Sequence, residues 1–292
     1  MAGALTVTPA LLRESPLPDA DGGKEGRGRT LVVGGSAETP GGARLAAEAT
    51  LRCGAGKLQV ATASSVAAAL AVALPEAMVR GLPETGTGAI SAAGAERLNE
   101  LGEGAGCVLV GPGLADIQES AMLAAAIVGD LDAPVVLDAL ALAAVTADVN
   151  CVRHLAGRVV LTPNPDELAQ CLKEDRGWVA ESPDRAAARL AQATGAVVSV
   201  GGEIVWTAAP DGRMWRDDGG SQGLGVSGAG DVRAGLVAGL LARGADAATA
   251  ALWGGHLHAR SGERLTARLG PLGFLARELP GEVPGLLVEF TH

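Results

Sequence analysis

Tyrosine is absent from this 292-residue chain, and two phenylalanines with four tryptophans bring the aromatic content to only 2%. Single strands of nucleic acid are bound on platforms of aromatic rings, so that class of partner is disfavoured. Positive charge is also short: 23 Lys+Arg face 33 Asp+Glu, a formal net charge of -10. Phosphate backbones are held by cationic surface, and the expectation is therefore no nucleic-acid partner. The four cysteines, Cys53, Cys107, Cys151 and Cys171, form no CxxC pair. That spacing argues against a disulfide framework or a zinc site, and for reduced thiols in a cytoplasmic protein. Alanine-rich stretches are interrupted by Gly, Pro or charge before they reach the 20 residues of a membrane span, so no membrane partner is expected. The first residues also lack a basic block followed by an apolar one, which speaks against a signal peptide. No Walker A lysine motif occurs, and Gly111-Pro112-Gly113 is not a dinucleotide fingerprint.

What the chain does contain is 48% hydrophobic residues and 43 glycines, arranged in a repeating grammar. Thr30-Leu31-Val32-Val33 runs into Gly34-Gly35-Ser36, with a helix expected from about Gly42 through Leu51. Lys57 to Thr62 reads as the next strand, and Ser64 and Ser65 as caps of a helix through Leu74. Cys107–Val110 ends at Gly111-Pro112-Gly113, Pro134–Leu137 at Asp138, and Arg158–Leu161 at Thr162-Pro163-Asn164-Pro165. Val197–Val200 ends at Gly201-Gly202. Short continuous apolar runs, each followed by a helical pattern, predict parallel strands covered on both faces. Residues 203–216 alternate and contain Pro210-Asp211-Gly212, which predicts an antiparallel hairpin. With no internal repeat, the economical fold is a three-layer α/β/α sandwich with a mostly parallel central sheet. Residues 24–292 are expected to form this one domain. Residues 1–23 are expected to be a flexible N-terminal segment, because 14–29 is rich in Gly, Pro and charge.

Strand ends in such a sheet converge on one edge, where ligands sit. The densest chemistry there is Gly225-Val226-Ser227-Gly228-Ala229-Gly230-Asp231, followed by an apolar helix expected from Val232 to Arg243. Small residues let backbone N–H groups approach a phosphate, and the first turn of a helix presents unpaired donors to it. Ser227, Gly228, Ala229 and Gly230 are the candidate phosphate cradle. Asp231 is the candidate base, if a substrate hydroxyl comes within reach; the alternative is a helix cap. Asp138 either joins this edge or caps the next helix. Glu167 either receives a magnesium-bound water or fills a helical first turn. Arg233 either touches a phosphate or pairs with a surface acid. His256 and His258, two apart, do not share a helical face and read as packing residues. No direct metal ligand is identified.

Five ordered blocks over about residues 24–280 resemble the ADP/ATP-dependent NAD(P)H-hydrate dehydratase family, which has a ribokinase-like fold. They are Thr30–Ser36 with Gly42-Ala43 and Arg52–Gly56; Val110–Leu114; Val136–Ala139; Leu161–Glu167; and Gly228–Gly235. The resemblance implies that Asp231 deprotonates the ring hydroxyl of hydrated NADH or NADPH for phosphoryl transfer from ADP or ATP. Elimination of the phosphate would then restore the reduced nicotinamide. Mg²⁺ is implied as a possible companion of the nucleotide, and a homo-tetramer as a possible assembly. Bacterial members use ADP and eukaryotic ones ATP, and the Ala/Gly/Arg-rich composition favours ADP. Gly35, Ser36, Gly113, Asn164 and Asp166 are the candidate substrate-binding residues.

The chain departs from the family pattern at its edge. Asn164 stands where histidine is common, Asp166 replaces glycine, Val200 occupies the place of a lysine before Gly201, and Ser227 and Ala229 replace glycine and serine. These departures leave two other readings beside repair of the hydrate. One is a small-molecule kinase that phosphorylates an alcohol; the other is a non-catalytic nucleotide-binding protein of the same fold.

Overall fold

The computed structural model describes residues 3–19 and 22–291. Its ten strands are β1 (Leu5–Thr6), β2 (Arg29–Val33), β3 (Lys57–Ala63), β4 (Ala77–Leu82), β5 (Cys107–Val110), β6 (Val135–Leu137), β7 (Val159–Leu161), β8 (Val197–Val200), β9 (Val205–Ala208) and β10 (Met214–Asp217). They form one sheet in the order β1-β10-β9-β8-β7-β6-β5-β2-β3-β4. Only β9 runs antiparallel to its neighbours, as the expected hairpin with β10.

Alternate residues of the central strands feed two layers. Val32, Leu109, Val136 and Val160 pack toward the helices Pro40–Arg52 and Ala229–Ala242. Val33, Val110, Leu137 and Leu161 pack toward the helices Ile117–Asp130 and Pro165–Leu172. All eight strand residues are fully buried, which is why the sequence shows continuous apolar runs instead of alternation.

Helix Ala229–Ala242 is buried along its length from Val232 onward, as expected of a helix apolar all round. It lies so close to helix Pro40–Arg52 that a Cβ at Gly235 would stand 2.2 Å from the Ala46 carbonyl oxygen. A larger residue there would force the helices apart, at a cost of about 1–3 kcal/mol. This contact sets the position of the helix N-terminus relative to the sheet.

Two segments differ in local structure from their expected pattern. The segment expected to be flexible contributes β1, which pairs in parallel with β10, and the helix Pro9–Glu14. Leu12 is fully buried, and Trp253 Nε1 donates to the Ser15 carbonyl at 2.8 Å. Met1, Ala2, Ala20 and Asp21 lie outside the described residues. Ser64 and Ser65 do not cap their helix: their hydroxyls donate to the Leu82 carbonyl and to Glu84. The helix capped by Asp246 extends over Ala247–Leu269. Its polar Ser261 causes no break because it donates to the Leu257 carbonyl one turn back.

Candidate active site

The helix following β2 covers one face of the sheet, and the helix following β5 covers the other. These two strands are neighbours, so the crevice at their carboxyl ends is a topological switch point, where open α/β sheets bind ligands. The sequence-predicted Gly35, Ser36 and Gly113 meet here. Gly35 N–H donates to the Pro112 carbonyl at 2.8 Å, and Thr39 Oγ1 donates to the Gly113 carbonyl at 2.9 Å. Ser36 is 1% exposed; its hydroxyl lies 2.8 Å from Thr39 Oγ1 and accepts the Thr39 N–H. Its hydroxyl is used in tying the two loops together. Thr39, which completes that tie, was not singled out in the sequence.

The glycine-rich turn enters its helix through Gly228, whose φ of +89° is left-handed. A Cβ at this residue would also stand 2.5 Å from Leu45 Cδ1, so both backbone and space require glycine. The helix begins at Ala229, earlier than the expected Val232, which makes Asp231 its third residue and not its cap. Ala229 is buried and its N–H donates to the Val226 carbonyl. Its amide is therefore removed from the expected cradle, and its methyl costs nothing because its backbone is right-handed helical. Among the described residues, the N–H groups of Gly230 and Asp231 have no acceptor. They are the free donors of a helix N-terminus. Ser227 is exposed at the mouth of the turn.

Asp231 is half-buried, and its carboxylate accepts no hydrogen bond from the described residues. Burial, with Glu167 adding to it, pushes Asp231 up to about 6. A base with that value is poised for proton transfer near neutral pH.

Asp138 and Thr162 follow the paired ends of β6 and β7. Asp138 stands at the N-cap of the short 3₁₀ turn Ala139–Leu142, but its side chain makes no capping bond and accepts the Thr162 hydroxyl at 2.6 Å. Burial first and then Asp231 push Asp138 up to about 8, against the Thr162 hydrogen bond; Glu167 raises it further and Arg233 lowers it. Thr162 was also not singled out, because its contact depends on strand register.

Asn164 and Glu167 form a reciprocal capping box at the start of helix Pro165–Leu172, with both bonds at 2.9 Å. The sequence assigned Asn164 to substrate, but its side-chain oxygen is committed to the helix. Glu167 is likewise the capping partner, and burial raises it above its ordinary value. Asp166 is exposed and lies 3.5 Å from Arg176, which offsets its charge.

Arg233 is 4% exposed and donates to the carbonyls of Thr162 and Pro163 at 2.9 and 3.4 Å. It pairs with no surface acid. Val200 is buried in the layer opposite this helix, so the cation beside the end of β8 comes from Arg233. Of the two histidines, His256 Nδ1 lies 2.7 Å from Asp217, and His258 is buried near Arg233, held down to about 3 by burial and then by that charge.

A recess of about 300 Å³ opens beside Glu167, between Ile117, Leu140, Ala143 and Gln170. A groove of about 680 Å³ lies elsewhere, along 102–105 and 130–134 just ahead of β5 and β6, and is remote from Asp231. Among the described residues, no group of three or more His, Cys, Asp or Glu is placed to hold a metal ion, and no helix is long and apolar enough to cross a membrane.

Sheet order and glycine-entered helix together place the chain among the ribokinase-like α/β proteins. The family model described as NAD(P)H-hydrate dehydratase matches residues 30–284, and the chain belongs to that family. It is 47% identical over 283 residues to the ADP-dependent (S)-NAD(P)H-hydrate dehydratase of Xanthomonas campestris pv. campestris, covering 97% of this chain and 96% of that protein. It is 33% identical over 272 residues to a bifunctional NAD(P)H-hydrate repair enzyme of Moorella thermoacetica, covering 93% of this chain but only 51% of that longer protein. Among solved structures, the ADP/ATP-dependent NAD(P)H-hydrate dehydratase of Bacillus subtilis, co-crystallized with ATP/Mg²⁺, superposes with a TM-score of 0.84. Identity there is 26%, with 99% of this chain and 100% of that chain covered.

Proposed function

We propose that this protein is an ADP-dependent dehydratase of hydrated NADH and NADPH, with Asp231 as the base. The observation that carries the reading is an unpartnered, half-buried carboxylate on the same helical turn as two free N–H donors. Family membership and the Xanthomonas relative support the substrate and the choice of ADP.

In the first step Asp231 takes the proton of the ring hydroxyl, and the hydroxyl oxygen bonds to the terminal phosphorus of ADP. The bond from that phosphorus to the bridging oxygen breaks, and AMP leaves with the electron pair. Gly230 and Asp231 N–H groups hold the charge that spreads over the phosphoryl oxygens. In the second step the ring nitrogen supplies electron density as the carbon–oxygen bond breaks and inorganic phosphate departs. The adjacent ring carbon loses a proton, which restores the double bond. The protein's contribution is chiefly positioning and charge stabilisation.

Mg²⁺ suits this site as a companion of the nucleotide, since it is commonly bound through substrate phosphates and its own waters with few protein carboxylates. When bound, the ion would neutralise phosphate charge. A homo-tetramer and a cytoplasmic location belong to the same proposal. Exposed Ile117 and Met122 on one helix are apolar surface that an assembly would cover, and sedimentation of the purified chain measures the assembly.

The test is recovery of the reduced-nicotinamide absorbance from the hydrate with ADP or ATP as donor. The expected result is one AMP and one phosphate released per NADH formed with ADP. Consumption of nucleotide with an alcohol substrate but no response to the hydrate would overturn the assignment in favour of a kinase.

A further inference from the structure

Arg233 carries an oddity that its packing role does not absorb. The side chain is 4% exposed, and two backbone carbonyls account for its Nη2. Its Nη1, equally buried, has no hydrogen-bond partner. A buried N–H of a guanidinium without an acceptor is costly, and five donors in a planar fork suit a bidentate oxyanion.

The position of the guanidinium is closely set. A Cβ at Gly201 would stand 2.8 Å from Cζ, 2.8 Å from Nη1 and 2.9 Å from Nη2. The near-equal distances mean that the plane lies flat against the Gly201 backbone, at the end of β8. Any side chain at 201 would displace it. The carbonyls that it holds follow β7, beside the Thr162–Asp138 contact. Arg233 therefore sits below the same strand ends that converge on the crevice, two residues after Asp231 on one helix.

Asp138 and Glu167 favour the charge of Arg233 from a distance, against burial, but among the described residues neither forms an ion pair with it. Burial raises Asp138 at the end of β6 and Glu167 on helix Pro165–Leu172, and Arg233 lowers both. His258 on helix Ala247–Leu269 is held neutral. A buried guanidinium with no ion pair among the described residues keeps its Nη1 edge free for an anion.

We propose that Arg233 is the cationic positioning residue of the phosphoryl-transfer site, fixing the β7 and β8 ends and meeting the phosphate charge of the nucleotide with its unpaired guanidinium edge. This rests on the reading of the site as nucleotide-binding, and its test is a binding measurement that does not depend on the hydrate being the substrate.

The experiment is calorimetric titration of ADP and of adenosine into the wild type, Arg233→Leu, Arg233→Lys and Gly201→Ala. Loss of a charge-assisted contact predicts that Arg233→Leu binds ADP about 10- to 100-fold more weakly, while adenosine affinity is unchanged. Arg233→Lys should recover part of that loss. Gly201→Ala, which keeps the cation but moves it, should weaken ADP and not adenosine. If Arg233 only braces the fold, ADP and adenosine affinities move together, or neither moves, and the proposal is overturned. Should Arg233→Leu fail to fold, the lysine and Gly201 variants decide alone: unchanged ADP affinity in both overturns it. Wild-type ADP binding without hydrate turnover would refute the dehydratase reading and leave Arg233's role standing.

Discussion

Thr162 donates its hydroxyl to Asp138 at 2.6 Å across the paired ends of β6 and β7. The contact holds a buried acid whose charged form is disfavoured first by burial and then by Asp231.

Burial of Asp138 sets a pH dependence of stability. Asp138 rises from an ordinary value of 3.8 to about 8 on folding, so between those values the folded chain binds the extra proton. The associated stabilisation is complete below about pH 4 and is lost as pH rises through about 8. Asp138→Asn keeps an acceptor for Thr162 but cannot ionise. Its melting temperature is therefore expected to exceed that of the wild type at pH 9, with the gap narrowing toward pH 5. A gap that widens on acidification would contradict this.

Asn164→Ala tests the reassignment of Asn164 from substrate contact to helix cap. Removing such a cap costs about 1 kcal/mol, to be read from urea unfolding. Turnover per folded molecule is expected to change less than twofold. A selective rise in KM for the hydrate would restore the substrate role.

Gly228→Ala places a methyl 2.5 Å from Leu45 Cδ1 on a residue with φ of +89°. Backbone strain of this kind costs about 1–3 kcal/mol. The variant is expected to unfold at lower urea and to bind ADP more weakly, because the turn that aims the Gly230 and Asp231 amides is displaced. Stability loss with unchanged ADP affinity would separate the turn from nucleotide binding.

The central strands were legible because burial on both faces leaves Val32, Leu109 and Val136 no reason to alternate with polar residues. Asp231 was legible because glycines and a carboxylate stand together before an apolar helix. Residues 5–15 were not: β1 is two residues long and the following helix six, too short for local pattern to declare. Their order comes from Leu12 burial and from Trp253, more than two hundred residues away. Asn164 and Glu167 did carry a capping-box pattern, and the pull of the family motif placed Asn164 with the substrate instead. Thr162 and Asp138 could be joined only once the register of β6 and β7 was known. Arg233 was visible as a residue, but its burial against Gly201 depends on how the helix lies over the sheet.

The rate of hydrate repair by the wild type and by Asp231→Asn, followed from pH 5 to 8 with saturating ADP, tests the role of Asp231 most directly. A general base contributes about 10²–10⁴-fold, so Asp231→Asn should lose that much while still binding ADP. The wild-type rate should fall as pH drops below about 6, where Asp231 gains its proton. An Asp231→Asn variant that repairs the hydrate within a fewfold of wild type, or a wild-type rate flat across that range, would contradict the account.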